Sequence, residues 1–519
     1  MTQYLCSNDL LALLAGNSEF AVIDPREEGI FTRGHLLCAS NLPMSRFEFL
    51  IDFAVPNKST QIILCDDCNG EADKASMLLT RLDYTRVLIL DGGVSCWALN
   101  GGAVFTGVNV RSKVFGECVE RDLGTPHITA LELHDRMQSG APTLILDARP
   151  PVEHEEFCIP GAIGCPAAEL PYRVATYVAD EDRLIVVHCA GRTRSIVGAQ
   201  TLIDSGISNP VVALENGTPA WQFASLELEV GSGRELPIPA LVKTTNFAEK
   251  HQIQVMPLEQ LVQFQQQNMS CYLLDIRTEG EFMVGHLKGT RHVPGGQLLQ
   301  ATDQHLVVHN APVVLIDSDG VRAPAMALWL RRMGWLNVYV TTMNPNDKNL
   351  AVGVVEDDIG YSNADVISVQ EAHHLIAKGT AVMCDVRSSV AYRRGHAEGC
   401  YFLTRANLVK DVKRLPEKNH IILMADDLPY ARLIATDLHQ LGYVVSNVNG
   451  GFADWVDAEY AVSLGVENMA SRPDDRHLDA YDFDDASVCD RENRQYLNWE
   501  IALVDQILGE PTGFNLAPA

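Results

Sequence analysis

Seven consecutive residues, Cys189-Ala190-Gly191-Arg192-Thr193-Arg194-Ser195, combine a thiol, a glycine and two guanidinium groups. An apolar run, Leu184-Ile-Val-Val-His188, precedes them, and a helical pattern of Ile196, Ala199, Leu202 and Ile203 follows as far as Gly206. This order predicts a strand that stops at Cys189 and turns directly into a helix. Such a turn aims several backbone N–H groups at one point, and the helix N-terminus adds partial positive charge there. The result is an anion cradle that holds a nucleophile. Cations and a helix N-terminus beside a thiol favour the thiolate, the form that attacks. A cysteine that merely packs at a strand end would not call for Gly191, Arg192 and Arg194 together.

The elements that position this loop recur along the chain. Four apolar strands end in Asp-x-Arg, at Asp24-Pro-Arg26, Asp147-Ala-Arg149, Asp275-Ile-Arg277 and Asp385-Val-Arg387. Eleven residues after each aspartate stands His35, Cys158, His286 or His396, and a glycine precedes each histidine. A second apolar run then leads to Asp66, Cys189, Asp317 or Ala425, which share one register apart from a two-residue shortening in the fourth repeat. Three repeats close with a turn and a tryptophan, Asp91-Gly-Gly…Trp97, Glu215-Asn-Gly…Trp221 and Asn449-Gly-Gly…Trp455. The third reads Thr341-Thr-Met-Asn-Pro345 instead. Fixed-period self-similarity of this kind marks repeated structural units.

The order Asp-x-Arg, Gly-His, strand, cysteine loop, helix, Gly-Gly…Trp resembles the rhodanese superfamily of sulfurtransferases, repeated four times in tandem up to about residue 465. The resemblance implies four α/β modules, each with a mainly parallel central sheet flanked by helices. The residues independently suggest that class, since short β-branched strands alternate with helical stretches. The expected modules span 1–105, 127–230, 254–350 and 365–465, with an acidic segment and C-terminal helix over 466–519. An active member of the family carries a persulfide on the loop cysteine, and only the second repeat has a cysteine at that register.

Comparison of the repeats assigns roles. Asp147 and Arg149 have counterparts in repeats without the cysteine, so they are expected to support the loop as a charge pair rather than contact substrate. His35, His286 and His396 correspond to Cys158 in the one active-looking repeat, which argues against a catalytic set. Cys65 and Cys68 form a Cys-x-x-Cys pair, but Cys65 falls one residue short of the register, Asp66 and Asp67 oppose its thiolate, and no further zinc ligands stand nearby. Loops built around Asp66, Asp317 and Ala425 should repel sulfur oxyanions and serve structural, regulatory or docking purposes.

The chain has 519 residues, 47% of them hydrophobic, enough for several cores, and the Asp-x-Arg spacings of 123, 128 and 110 residues favour four domains. Thirteen scattered cysteines suggest a reducing compartment. The N-terminus, Met1-Thr-Gln-Tyr-Leu-Cys-Ser-Asn, lacks a basic segment before an apolar run, so a cytoplasmic protein is expected, without membrane insertion. A net charge of −27 argues against nucleic acid and anionic membranes as partners. Linkers are expected over about 101–126, 231–250 and 344–364. The aspartate-rich stretch from Arg472 to Glu492 reads as irregular, and Tyr496, Trp499, Leu503 and Ile507 then form one face of a helix packed back onto a module.

The expected chemistry needs no metal or organic cofactor. Arg192 and Arg194 would hold the oxyanion of a thiosulfate-type donor by charge-assisted hydrogen bonds. Cys189 would take the outer sulfur, and a thiol or cyanide would accept it in a ping-pong cycle. Two basic residues favour an oxyanion donor over a keto acid such as mercaptopyruvate. Cys158 or Cys165 could resolve the persulfide as a disulfide. Two alternatives stand beside this reading: a sulfur-relay or scaffold protein that delivers sulfur to a protein acceptor, and a phosphatase of the Cys-x5-Arg type. In the latter the sixth residue should be arginine, and here it is Ser195.

Overall fold

The four apolar runs that lead into the loops, Gln61–Leu64, Leu184–His188, Val313–Asp317 and His420–Met424, each lie at the centre of a separate sheet. The computed structural model describes residues 3–178, 182–239, 247–353 and 364–516. On one side each central strand pairs in parallel with the strand ending in the Asp of Asp-x-Arg, namely Phe20–Asp24, Thr143–Asp147, Tyr272–Asp275 and Ala381–Asp385. On the other side it pairs in parallel with Val87–Leu90, Val211–Leu214, Val338–Thr342 or Val444–Val448. Two short outer strands complete each sheet. Ile185, Val186 and Val187 are all fully buried, as a parallel strand covered by helices on both faces requires.

Because all these strands run the same way, the Asp-x-Arg turn, the cysteine-register loop and the Gly-Gly turn converge at the carboxyl edge of each sheet. Ligands of open α/β sheets bind at that edge. The helix Thr193–Ser205 leaves the loop and ends at Gly206, whose φ of +79° suits glycine.

The modules are not independent beads. Val308–His309 of the third module adds an antiparallel strand to the first module's sheet, against Phe20 and Ala21. This partly covers an edge strand whose far end is paired by Ser40–Asn41. The first three modules share one contiguous apolar core. Within it Trp329 Nε1 donates to Thr201 Oγ1 at 2.7 Å, and the Trp329 ring meets Phe115 edge-on at 5.8 Å. The fourth module has its own cores and docks on the first through Arg405, which donates to both oxygens of Glu48 at 2.6 and 2.8 Å.

Two segments differ from expectation. Residues 101–126, read as a joining stretch, contain a 14-residue helix, Val110–Leu123, that packs against both Thr193–Ser205 and the C-terminal helix. The stretch 472–492, read as irregular, includes the start of that C-terminal helix, Ala486–Gln506. Asp485 starts it by accepting from the N–H groups of Ser487 and Val488. Both helices carry many charged residues around short apolar stripes, which weakens their periodicity in the sequence. The centres of the other two expected linkers, 240–246 and 354–363, lie outside the described residues. No helix among the described residues is long and apolar enough to cross a membrane.

Candidate active site

Cys189 follows the central strand of the second module directly and is 2% exposed. The Gly191 N–H donates to its Sγ at 3.4 Å, and Sγ lies 3.6 Å from Ser195 Oγ, which itself donates to the Arg192 carbonyl at 2.7 Å. The 13-residue helix beginning at Thr193 directs its N-terminus at this turn. Strand, loop and helix thus place the Gly191 N–H and Ser195 Oγ beside Cys189 Sγ at the start of the helix.

The two loop arginines are committed to carboxylates. Arg192 donates from Nε and Nη2 to Glu117 at 2.6 and 2.9 Å, from Nη2 also to Glu120, and from Nη1 to Asn216 Oδ1 at 2.9 Å. Arg194 donates to both oxygens of Glu153 at 2.8 and 2.9 Å. Instead of standing free over the thiol, Arg192 clamps the loop to the helix Val110–Leu123. A sequence reading could not anticipate this, because Glu117 lies 75 residues away on a segment taken for a linker.

Behind the loop, Arg149 donates from Nε and Nη2 to Asp147 and reaches the Phe157 carbonyl. The same arrangement joins Arg26, Arg277 and Arg387 to Asp24, Asp275 and Asp385, with the carbonyls of Gly34, Gly285 and Gly395 as the further acceptors. Only the second module adds two histidines. His154 Nδ1 lies 3.0 Å and His188 Nε2 3.7 Å from Asp147 Oδ2. Burial alone would raise the Asp147 carboxyl, but His188, His154 and Arg149 outweigh it and hold it well below the usual range. His154 is opposed by burial yet pushed up to about 9, chiefly by its hydrogen bond to Asp147. Burial draws His188 down to about 4.

The other modules show what replaces this chemistry. The position of His154 is taken by Phe31, Phe282 and Tyr392, whose rings stack on His35, His286 and His396 at 3.9, 3.8 and 3.8 Å. Those histidines are packing residues, each with Nδ1 against the carbonyl of its aromatic neighbour. At the cysteine register, Asp66 accepts from the N–H groups of Cys68 and Ala72 at 2.9 and 3.0 Å. Asp317 accepts from Gly320 and Ala323 N–H and from Thr342 Oγ1. A built-in carboxylate therefore fills the anion cradle in the first and third modules. Cys158 and Cys165 are fully buried in two different apolar cores.

A cavity of about 620 Å³ opens in front of Cys189. The C-terminal helix forms one wall. The Tyr496 ring packs on Gly191, where a Cβ would come 3.3 Å from Cε1, and Thr193 Oγ1 donates to Glu500 Oε1 at 2.8 Å. The helix Val110–Leu123 approaches from the other side, with Gly116 letting it contact Thr193; a Cβ there would stand 2.9 Å from Thr193 Cγ2. Its Lys113 Nζ lies 4.7 Å from the Tyr496 ring and 4.8 Å from the Trp499 ring. Lys113, Glu117, Tyr496 and Glu500 were not legible as site residues, since they belong to segments with no motif of their own.

A model of the rhodanese-like domain matches residues 7–100, 129–224, 258–343 and 368–458. The chain belongs to the rhodanese-like family. Its four rhodanese-like modules are arranged as in the crystal structure of a thiosulfate sulfurtransferase from Pseudomonas aeruginosa, with a TM-score of 0.90 and 36% identity over 99% of each chain. Among curated relatives, the HTH-type transcriptional regulator Rv0324 of Mycobacterium tuberculosis is 36% identical over 112 residues, or 21% of this chain. The chain spans 48% of that regulator's length, so the likeness is confined to part of it.

Proposed function

We propose that this rhodanese-type protein is a sulfurtransferase that carries sulfane sulfur on Cys189 from a thiosulfate-type donor to a thiol or cyanide. The observation that supports this reading best is the contrast at one register. Cys189 alone lies in an open cradle beside a cavity, whereas Asp66 and Asp317 occupy theirs with their own carboxylates. The likeness over the whole chain to a thiosulfate sulfurtransferase favours the same donor.

In the first half-reaction the Cys189 thiolate attacks the outer sulfur of thiosulfate. The new S–S bond forms as the old one breaks, and sulfite leaves with the electron pair. The Gly191 N–H and the N-terminus of helix Thr193–Ser205 stabilise the negative persulfide. In the second, cyanide or a thiolate attacks the outer persulfide sulfur, and the electron pair of the broken bond returns to Cys189. Residues 190–195 form the cradle, with Arg192 positioning the loop through Glu117 and Asp147 with Arg149 bracing the turn behind it.

Intact-protein mass after incubation with thiosulfate tests the proposal. A gain of one sulfur atom is expected on the native chain and not on Cys189→Ala, with discharge as thiocyanate when cyanide is added. A gain that persists in Cys189→Ala, or none at all, would overturn it.

A further inference from the structure

The mechanism leaves the donor's oxyanion without an obvious cation. Arg149 serves Asp147, Arg192 serves Glu117 and Glu120, and Arg194 serves Glu153. Lys113 differs from all three. It is only 6% exposed, and its ammonium donates to no acceptor among the described residues. It faces the same cavity as Cys189 from the helix Val110–Leu123, held over the rings of Tyr496 and Trp499. The Tyr496 ring in turn rests on Gly191 of the cysteine loop.

A lysine that only needed solvation would extend its stem and place the ammonium in bulk water. Here the stem is enclosed and the charge is turned into a chamber, where the ring faces supply attraction but no hydrogen-bond acceptor. Glu500 and Asp303 attract it electrostatically, yet neither accepts a hydrogen bond from it, and burial still draws its ammonium down to about 8. An ammonium in this state has three donors available for a ligand. A sulfur oxyanion supplies the matching acceptors and the opposite charge.

We propose that Lys113 binds the sulfonate oxygens of the donor and sets the preference of the Cys189 site for doubly charged sulfur oxyanions. The helix between the first two modules therefore contributes a substrate-binding residue to the second. This rests on the sulfurtransferase reading above, and the experiment separates the two. Persulfide loading of Cys189 is followed by intact mass as a function of donor concentration, using thiosulfate, a dianion, and methanethiosulfonate, a monoanion with the same transferable sulfur. The native chain is compared with Lys113→Met, which keeps the apolar stem, and Lys113→Arg, which keeps the charge.

For Lys113→Met, half-saturation by thiosulfate should rise at least about tenfold, with a smaller rise for methanethiosulfonate and a maximal rate within about threefold of native. Lys113→Arg, which keeps a cation able to make charge-assisted hydrogen bonds, should lose at least about threefold less than Lys113→Met with thiosulfate. Equal shifts for the two donors, or no shift, would overturn the role of Lys113 while leaving the sulfurtransferase reading intact. Absence of loading in the native chain would overturn that reading instead. A folding-independent check uses the unreactive Cys189→Ala chain, in which thiosulfate should change the Trp499 fluorescence. No change relative to Cys189→Ala/Trp499→Phe would count against Lys113.

Discussion

Gly217 faces the carbonyl oxygen of Cys189 so closely that a Cβ there would lie 2.3 Å from it. The same turn lets Thr218 N–H donate to that carbonyl at 3.0 Å, which fixes Cys189 from behind. Gly93 stands likewise against Asp66 O and Gly451 against Ala425 O, at 2.1 and 2.7 Å from a would-be Cβ. Gly217 also has φ of +53°, where a side chain is strained. Gly217→Ala is expected to cost about 1–3 kcal/mol of stability and to lower sulfur transfer by more than tenfold. Urea unfolding and thiocyanate production check the two effects.

Arg192 and Glu117 are both nearly buried and pair at 2.6 Å. If Arg192 acts by clamping the loop, Arg192→Ala should destabilise the protein by about 3–5 kcal/mol, because it leaves the buried Glu117 without its partner, and Glu117→Ala by less, because Arg192 keeps Glu120 and Asn216. The double variant should be no worse than Arg192→Ala, since it removes the stranded Glu117 carboxylate as well. A direct substrate role would make Arg192→Ala raise the donor KM far more than Glu117→Ala does.

The pair of His154 and Asp147 makes the second module sensitive to alkali. The folded-state value for His154, about 9, lies above the ordinary 6.5. Its contribution is therefore complete below about pH 6.5 and lost as pH rises through 9, at most about 3 kcal/mol. His154→Phe installs the residue type that Phe31 and Phe282 supply in the first and third modules. Thermal melts from pH 6.5 to 9.5 should show a smaller loss for this variant than for the native chain.

Asp317 holds two backbone N–H groups and a hydroxyl inside the third module. Asp317→Ala should cost about 2–4 kcal/mol in denaturant unfolding, since those donors lose their partner. Persulfide loading of Cys189, followed by mass, should remain unchanged.

The family and the α/β fold were legible because strands ending in Asp24, Asp147, Asp275 and Asp385 repeat with the same downstream spacing, and every copy obeys the same local steric rules. The cysteine loop was legible for a similar reason, since Gly191 and the start of the helix are adjacent to Cys189 in sequence. The walls of the cavity were not. Thr193 meets Glu500 across 307 residues, and Lys113 meets Trp499 through a helix whose apolar stripe is broken by charges. The arginines illustrate the opposite error. Arg192 and Arg194 attract notice as free cations in the sequence, yet burial on an acidic protein obliges each to find a carboxylate.

The C-terminal helix that walls the cavity also sets a time order on the assembly of that cavity. A chain synthesised from its N-terminus exposes the Cys189 loop 307 residues before Glu500 emerges to meet Thr193. Folding proceeds from the N-terminus as the chain leaves the ribosome, and the core shared by the first three modules closes once Val308–His309 has emerged. The second module can thus assemble its sheet and present its thiol while the chamber around it still lacks a wall. A chain stopped before Glu500 would lack that wall and leave Thr193 Oγ1 without its acceptor.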